Sequence, residues 1–118
     1  MWTFRITNGA ILGNGLKVGT GYSGHGDGRG NPKLAATPMV GPIPPGKYRI
    51  GPAYDDPHLG PCVMHLDPLP GTNVFGRSLF RIHGNNAQND ASHGCVIAPP
   101  AVRSAINKSL DRVLEVTE

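Results

Sequence analysis

Aromatic side chains are scarce in this sequence: three Tyr, three Phe and one Trp in 118 residues. So few rings leave no stacking platform of the kind that single-stranded nucleic acid needs. Charge is thin as well. Asp, Glu, Lys and Arg make up 16% of the chain, the formal net charge is +3, and the basic residues are scattered rather than gathered into a run or stripe. That distribution argues against a nucleic-acid partner. No apolar stretch approaches membrane-spanning length. The first twelve residues, Met1 to Leu12, carry one Arg and several polar side chains instead of a basic start followed by an apolar block, so the expectation is a chain made without a signal peptide. If it works outside the cytoplasm, something other than this segment must carry it there.

What the chain has in abundance is backbone punctuation. It holds 17 Gly and 12 Pro, yet apolar residues still reach 38%, too many for a disordered chain. Its length fits one domain, residues 1–118, with a modest single core. Short strands joined by tight turns are the natural outcome. Residues Trp2–Ile6 alternate as a strand. Asn8-Gly9 is a hairpin signal, followed by Ala10–Leu12 and, after Gly13-Asn14-Gly15, a third strand over Leu16–Ser23. Gly24–Pro32 reads as a loop. Lys47–Ile50, Cys62–Leu66 and Ser78–His83 read as further strands, the last being the strongest and delivering His83 at its end. Pro99-Pro100 opens the one convincing helix, because a proline in the first turn lacks only an N–H that has no partner there. Val102, Ala105, Ile106 and Leu110 recur at helical spacing on one face. The tail from Arg112 alternates and closes as a strand. The expected fold class is therefore mainly β, a sandwich or barrel with one short C-terminal helix and a final strand.

The stretch RIHGNNAQNDASHGCVI, Arg81 to Ile97, stands apart. Two His-Gly pairs and one Cys make poor core material. A thiol attacks well only as a thiolate, which an adjacent histidine or a cluster of backbone N–H groups helps to form. Gly94 lets the main chain approach a substrate, with N–H groups at Gly94 and Cys95 able to form an oxyanion hole. His83 and His93 are both near Cys95 in sequence. The rigid strand end under His83, and a Gly84 carbonyl able to hold its imidazole in one tautomer, favour His83 as the base. Asp90 is the one acidic residue nearby.

The SHGCV motif preceded by IHG resembles the active-site signature of the L,D-transpeptidase catalytic domain, the YkuD-like fold. The segments GYSGHGDGRGNP, VGPIPPGKYRI, FGRSLFRIHGN and ASHGCVI, in that order, are similar to a smaller branch of these enzymes that includes peptidoglycan-targeting toxins of type VI secretion systems. The resemblance implies Cys95 as nucleophile, His83 as general base, and Gly84 orienting His83. It implies that Ser92, His93 and Gly94 shape the loop. Tyr22, Arg29 and Arg77 are candidate substrate contacts. The loop over residues 84–91 is shorter than in wall-building members, and Ile97 stands where those carry Arg or Asn. The implied activity is L,D-carboxypeptidase or L,D-transpeptidase chemistry on peptidoglycan stem peptides through a Cys95 thioester, without a cofactor. The implied setting is the periplasm and wall of a target bacterium, with an immunity protein as partner. A mildly basic surface suits an anionic cell wall.

Two other readings come from the residues themselves. His25, His58 and His65, with His83, His93 and Asp27, offer ligands to a zinc-dependent cell-wall amidase or peptidase, although their spacings match no compact zinc pattern. A non-catalytic wall-binding module is the other, and it gives no reason for a reactive thiol. Cys62, in an apolar strand, reads as a core thiol.

Overall fold

The computed structural model describes all 118 residues. Ten strands, one α-helix and two short 3-10 turns follow one another along the chain. The strands are β1 (Trp2–Arg5), β2 (Ala10–Gly13), β3 (Leu16–Thr20), β4 (Tyr22–Ser23), β5 (Gly46–Ile50), β6 (Tyr54–Asp56), β7 (Gly60–Pro68), β8 (Arg81–His83), β9 (Val96–Ile97) and β10 (Val113–Thr117). The helix, α1, spans Pro100–Lys108.

The strands form a single path in the order β3-β2-β1-β10-β5-β7-β8-β9-β4, with β6 paired to β7 outside it. Its first and last members, β3 and β4, are consecutive in the chain and separated only by Gly21. The sheet therefore curls into a nearly closed barrel, joined at the seam by the chain itself. Gly21 permits the closure. Its N–H donates to Gly9 O at 2.8 Å, and a Cβ there would collide with the Ile97 carbonyl. Two pairs, β1–β10 and β8–β9, are parallel, and the remaining pairs are antiparallel.

Period-two patterning builds the core. Trp2 and Phe4 of β1, Tyr48 and Ile50 of β5, Ile82 of β8, Val96 of β9, and Leu114 and Val116 of β10 meet in one cluster of 17 buried residues. Val102 and Ile106 bring the helix into it. The Tyr48 hydroxyl is satisfied by donating to Pro44 O at 2.7 Å, as a buried phenol must be. No helix is long and apolar enough to cross a membrane.

The mainly β class, the late helix and the closing strand are as expected from the sequence. Three local expectations are corrected, and one strand was not anticipated. The strand expected over Leu16–Ser23 is broken at Gly21, where the chain steps from one end of the sheet to the other. The strand expected over Ser78–His83 shrinks to Arg81–His83, because Leu79 has φ +63° and is 70% exposed, a conformation that cannot continue a ladder. The helix stops at Lys108, so Leu110 lies outside it and is 99% exposed, and Ala105 is exposed too. The third buried helical residue is Arg103. Finally, β6 has the sequence Tyr-Asp-Asp, which carries no apolar alternation to announce it.

Candidate active site

The parallel pair β8–β9 places the two central side chains. Its register sets Ile82 opposite Val96 and His83 opposite Ile97. Ile82 and Val96 face the core, so the alternate residues Arg81, His83 and Cys95 project to the other side. Cys95 immediately precedes β9, and one step back in register it stands opposite Arg81. His83 and Cys95 therefore share a face on neighbouring strands, two residues apart along the register. Both line a cleft of about 230 Å³, together with Arg81 and Phe80. A second cleft of about 420 Å³ shares Leu59, His83, Ala91 and His93 with the first and adds His25, His58, Asn85 and Asn86.

His83 is 3% exposed. Its Nδ1 lies 2.9 Å from Gly84 O. A carbonyl only accepts, so Nδ1 carries the hydrogen and Nε2 is left with its lone pair. Burial pushes the imidazole pKa below the usual histidine range, and the Arg81 and Arg103 charges push the same way; the Gly84 hydrogen bond and Asp56 oppose them. The Cys95 thiol is raised, chiefly by burial, against the Arg81 main-chain N–H and the Arg81 and Arg77 charges. The resting pair is thus neutral imidazole and neutral thiol. In that state Cys95 Sγ–H donates to Leu79 O at 3.8 Å rather than to His83.

Buried serines hold the Cys95 turn. Ser92 Oγ donates to Cys95 O at 2.6 Å and accepts from Gly24 N–H at 2.9 Å and Gly94 N–H at 3.2 Å. Ser23 Oγ donates to Gly94 O at 3.2 Å and accepts from Ile43 N–H at 2.8 Å. The Gly94 N–H is therefore engaged, unlike the free oxyanion donor expected from the sequence. Gly94 has φ +131°, and a Cβ on it would run into the Arg77 guanidinium. Arg77 donates to Ala35 O, Pro42 O, Gly41 O and His93 O at 2.6–3.4 Å, tying the 35–42 segment to the Cys95 turn.

The other expected substrate contacts are also engaged within the chain. The Tyr22 hydroxyl donates to Asn85 Oδ1 at 2.6 Å and accepts from Ala91 N–H at 2.9 Å. Arg29 stacks over the Tyr22 ring, Cζ to centroid 3.6 Å, and donates to Asn89 O at 2.7 Å. Together they brace the 84–91 loop. Asp90 is turned toward Asn86, whose Nδ2 donates to its Oδ1 at 2.8 Å. His93 is exposed and stacks on His25, centroids 4.6 Å apart.

His65 stacks on Tyr54 at 5.1 Å. No three or more His, Cys, Asp or Glu side chains converge in a metal-holding arrangement. Cys62 and Cys95 are both free thiols, and Cys62 packs against the core.

Three features of the site escape a reading of the sequence. Ser23 gives no signal, because its role depends on the fold bringing residues 71 apart together. Arg81 lines the Cys95 cleft with a buried Nε that has no partner, but in sequence it is one polar residue of an alternating strand. Arg103 falls on the buried helical face between Val102 and Ile106, and that interruption of an apolar stripe is the one signal that could have found it.

A family model described as the Tlde1 domain matches residues 17–115, from β3 into β10. No curated protein matches the chain.

Proposed function

The chain belongs to the Tlde1 domain family of type VI secretion L,D-transpeptidase effectors directed at the bacterial cell wall, and from that premise we propose that it is a cysteine enzyme acting on peptidoglycan stem tetrapeptides. The observation that carries the reading is the shared cleft of Cys95 and a buried His83 whose tautomer is set by Gly84 O.

His83 Nε2 takes the Cys95 proton as the sulfur attacks the carbonyl joining the L-centre of the diamino acid to D-alanine. A neutral, desolvated imidazole suits general-base work, since it is unprotonated before the step and gains its charge only as the thiolate forms. The Cys95 N–H and the Arg81 charge face the developing oxyanion. Collapse breaks the C–N bond, the His83 proton passes to the leaving amine, and D-alanine departs from a Cys95 thioester. Water as acceptor then gives the tripeptide, an L,D-carboxypeptidase outcome. An amine gives transpeptidation or exchange of the terminal D-amino acid. Both outcomes share the thioester.

Ser92, Gly94 and Ser23 fix the turn that presents the thiol, and His93 shapes the mouth of the cleft. In the effector setting, the protein acts in the periplasm of a target cell and meets an immunity protein that covers this cleft. The test is incubation of the purified protein with stem tetrapeptide, followed by mass spectrometry. Release of D-alanine with tripeptide, or incorporation of an added D-amino acid, supports the reading. Intact tetrapeptide after prolonged incubation counts against it.

A further inference from the structure

Adjoining the Cys95 cleft through Leu59 lies the largest cavity of the protein, about 550 Å³. It is lined by Tyr22, Leu59, Gly84, Asn85, Pro99 and Arg103, among others, and neither Cys95 nor His83 reaches it. Arg103 is its unusual member. The side chain is only 6% exposed. Nε donates to Ala98 O at 3.0 Å and Nη1 to Pro61 O at 2.6 Å, while Nη2 makes no hydrogen bond. The single ion pair of the protein joins the N-terminus to Asp111, so no carboxylate neutralises Arg103. No acidic side chain lines the cavity.

A guanidinium this buried without a counter-ion is unfavourable, and the one nitrogen that the chain leaves without a partner is free to take up an anion. Two further observations agree. The Arg103 Nη2 lies against Gly84, where a Cβ would come within 2.8 Å of it, so the group is held at the cavity wall by the absence of a side chain. Helix α1 also begins at this cavity, with Pro99 and Pro100 in its lining and no side chain capping its first turn. The exposed end of a helix dipole adds to the preference for negative charge.

We propose that this cavity is a second ligand site, which binds a carboxylate-bearing peptide or amino acid with its carboxylate on Arg103 Nη2. With Nε and Nη1 engaged, the Nη2 hydrogens offer a carboxylate a charge-assisted hydrogen bond, and the volume is that of a small-molecule or short-peptide pocket. Leu59, Ile97 and the two prolines offer apolar contact beside the charge. A carboxylate there sits directly behind Gly84, whose carbonyl holds His83, so occupancy and the state of the base are neighbours in space. The identity of the peptide rests on the cell-wall reading above, but the presence of an anion site does not.

The test is calorimetric titration of the full chain carrying Cys95→Ala, which removes turnover. Three probes are used: stem tetrapeptide, the same peptide with its carboxylates amidated, and free D-alanine. The expected result is a carboxylate probe whose affinity falls roughly 10- to 100-fold in Arg103→Met, the range for losing a hydrogen bond to a charged group, and recovers in part in Arg103→Lys. Failure of the amidated peptide alone assigns the site to a carboxylate of the stem peptide. Arg103-dependent binding of D-alanine assigns it to the free amino acid; either outcome supports the site. Thr20→Trp, at an exposed lining position, fills the mouth without touching the guanidinium and gives the same loss even if Arg103→Met fails to fold. No binding of any carboxylate probe, or affinities unchanged by both Arg103→Met and Thr20→Trp, overturns the proposal. Wild-type turnover is measured alongside. Turnover with Arg103-independent binding sinks this site alone, whereas Arg103-dependent binding without turnover sinks the catalytic reading alone.

Discussion

His83-Gly84 and His93-Gly94 are the same dipeptide, ten residues apart, and each glycine lies under an arginine. A Cβ on Gly84 would meet Arg103, and one on Gly94 would meet Arg77. In both places the missing side chain admits a guanidinium to the main chain beside the site. There the likeness ends. His83 ends a strand in the body of the sheet, is buried, and has its Nδ1–H fixed by a carbonyl. His93 sits on an exposed turn, stacked on another imidazole. Arg77 is tied to four carbonyls of two segments, whereas Arg103 keeps one nitrogen unbonded toward a cavity. The first pair holds an imidazole in one tautomer, the second holds a turn in one shape.

Substituting each histidine breaks the comparison most strongly. His83→Ala is expected to lower turnover of stem tetrapeptide by about 10²–10⁴-fold, the usual worth of a positioned general base. His93→Ala is expected to lower it by less than about tenfold, acting through the stack on His25. Steady-state assays with both variants check this, and the reverse ranking would transfer the role of base to His93.

The glycines come next. Gly94→Ala combines a positive φ with a clash against Arg77 and is expected to cost about 1–3 kcal/mol of stability and most of the activity. Gly84→Ala meets only the far end of a guanidinium and is expected to cost less, about 1 kcal/mol. Denaturant unfolding of the two variants distinguishes them. Equal stability of Gly94→Ala and wild type would show that Arg77 does not need the space.

The pH dependence is subtler and follows from the neutral resting pair. Because the folded pKa of His83 lies below its ordinary value of about 6.5, the unfolded chain binds the proton first as pH falls. Stability from this group is complete above pH ~6.5 and is lost as pH falls from there through the folded pKa. The raised Cys95 thiol should alkylate with a midpoint above the ordinary thiol range. His83→Ala should move that midpoint little, since no imidazolium stands beside the resting sulfur. Alkylation of wild-type Cys95 at acid pH, abolished in His83→Ala, would reveal a preformed ion pair instead.

The contrast also shows what a sequence can and cannot carry. Cys95 and His83 stand out as candidates because HG and SHGC put reactive side chains where core residues would otherwise be, and because in β8 the core-facing Ile82 leaves Arg81 and His83 on the opposite face. The strand itself was overread. Nothing in Ser78-Leu79-Phe80 announces that Leu79 takes φ +63°, two residues after the turn in which the Arg77 N–H bonds Val74 O. Tyr22, Arg29 and Arg77 read from the sequence as substrate contacts, but a residue type and its place in a motif do not say whether a donor faces a ligand or a loop, and here their polar groups bond the chain itself. Their hydrogen bonds join residues 16 to 69 positions apart in the chain, which no local pattern encodes. Arg103 shows the converse: its helical position was readable, and its unpaired charge emerges only from the packing around it.

Cys95 as the nucleophile is tested most directly by product formation from stem tetrapeptide by Cys95→Ala and Cys62→Ser beside wild type. Mass spectrometry reads the products, and thermal melts confirm that each variant folds. The expected result is no tripeptide or exchanged peptide from Cys95→Ala and near wild-type yield from Cys62→Ser. A folded Cys95→Ala protein that still releases D-alanine would contradict the thiol mechanism.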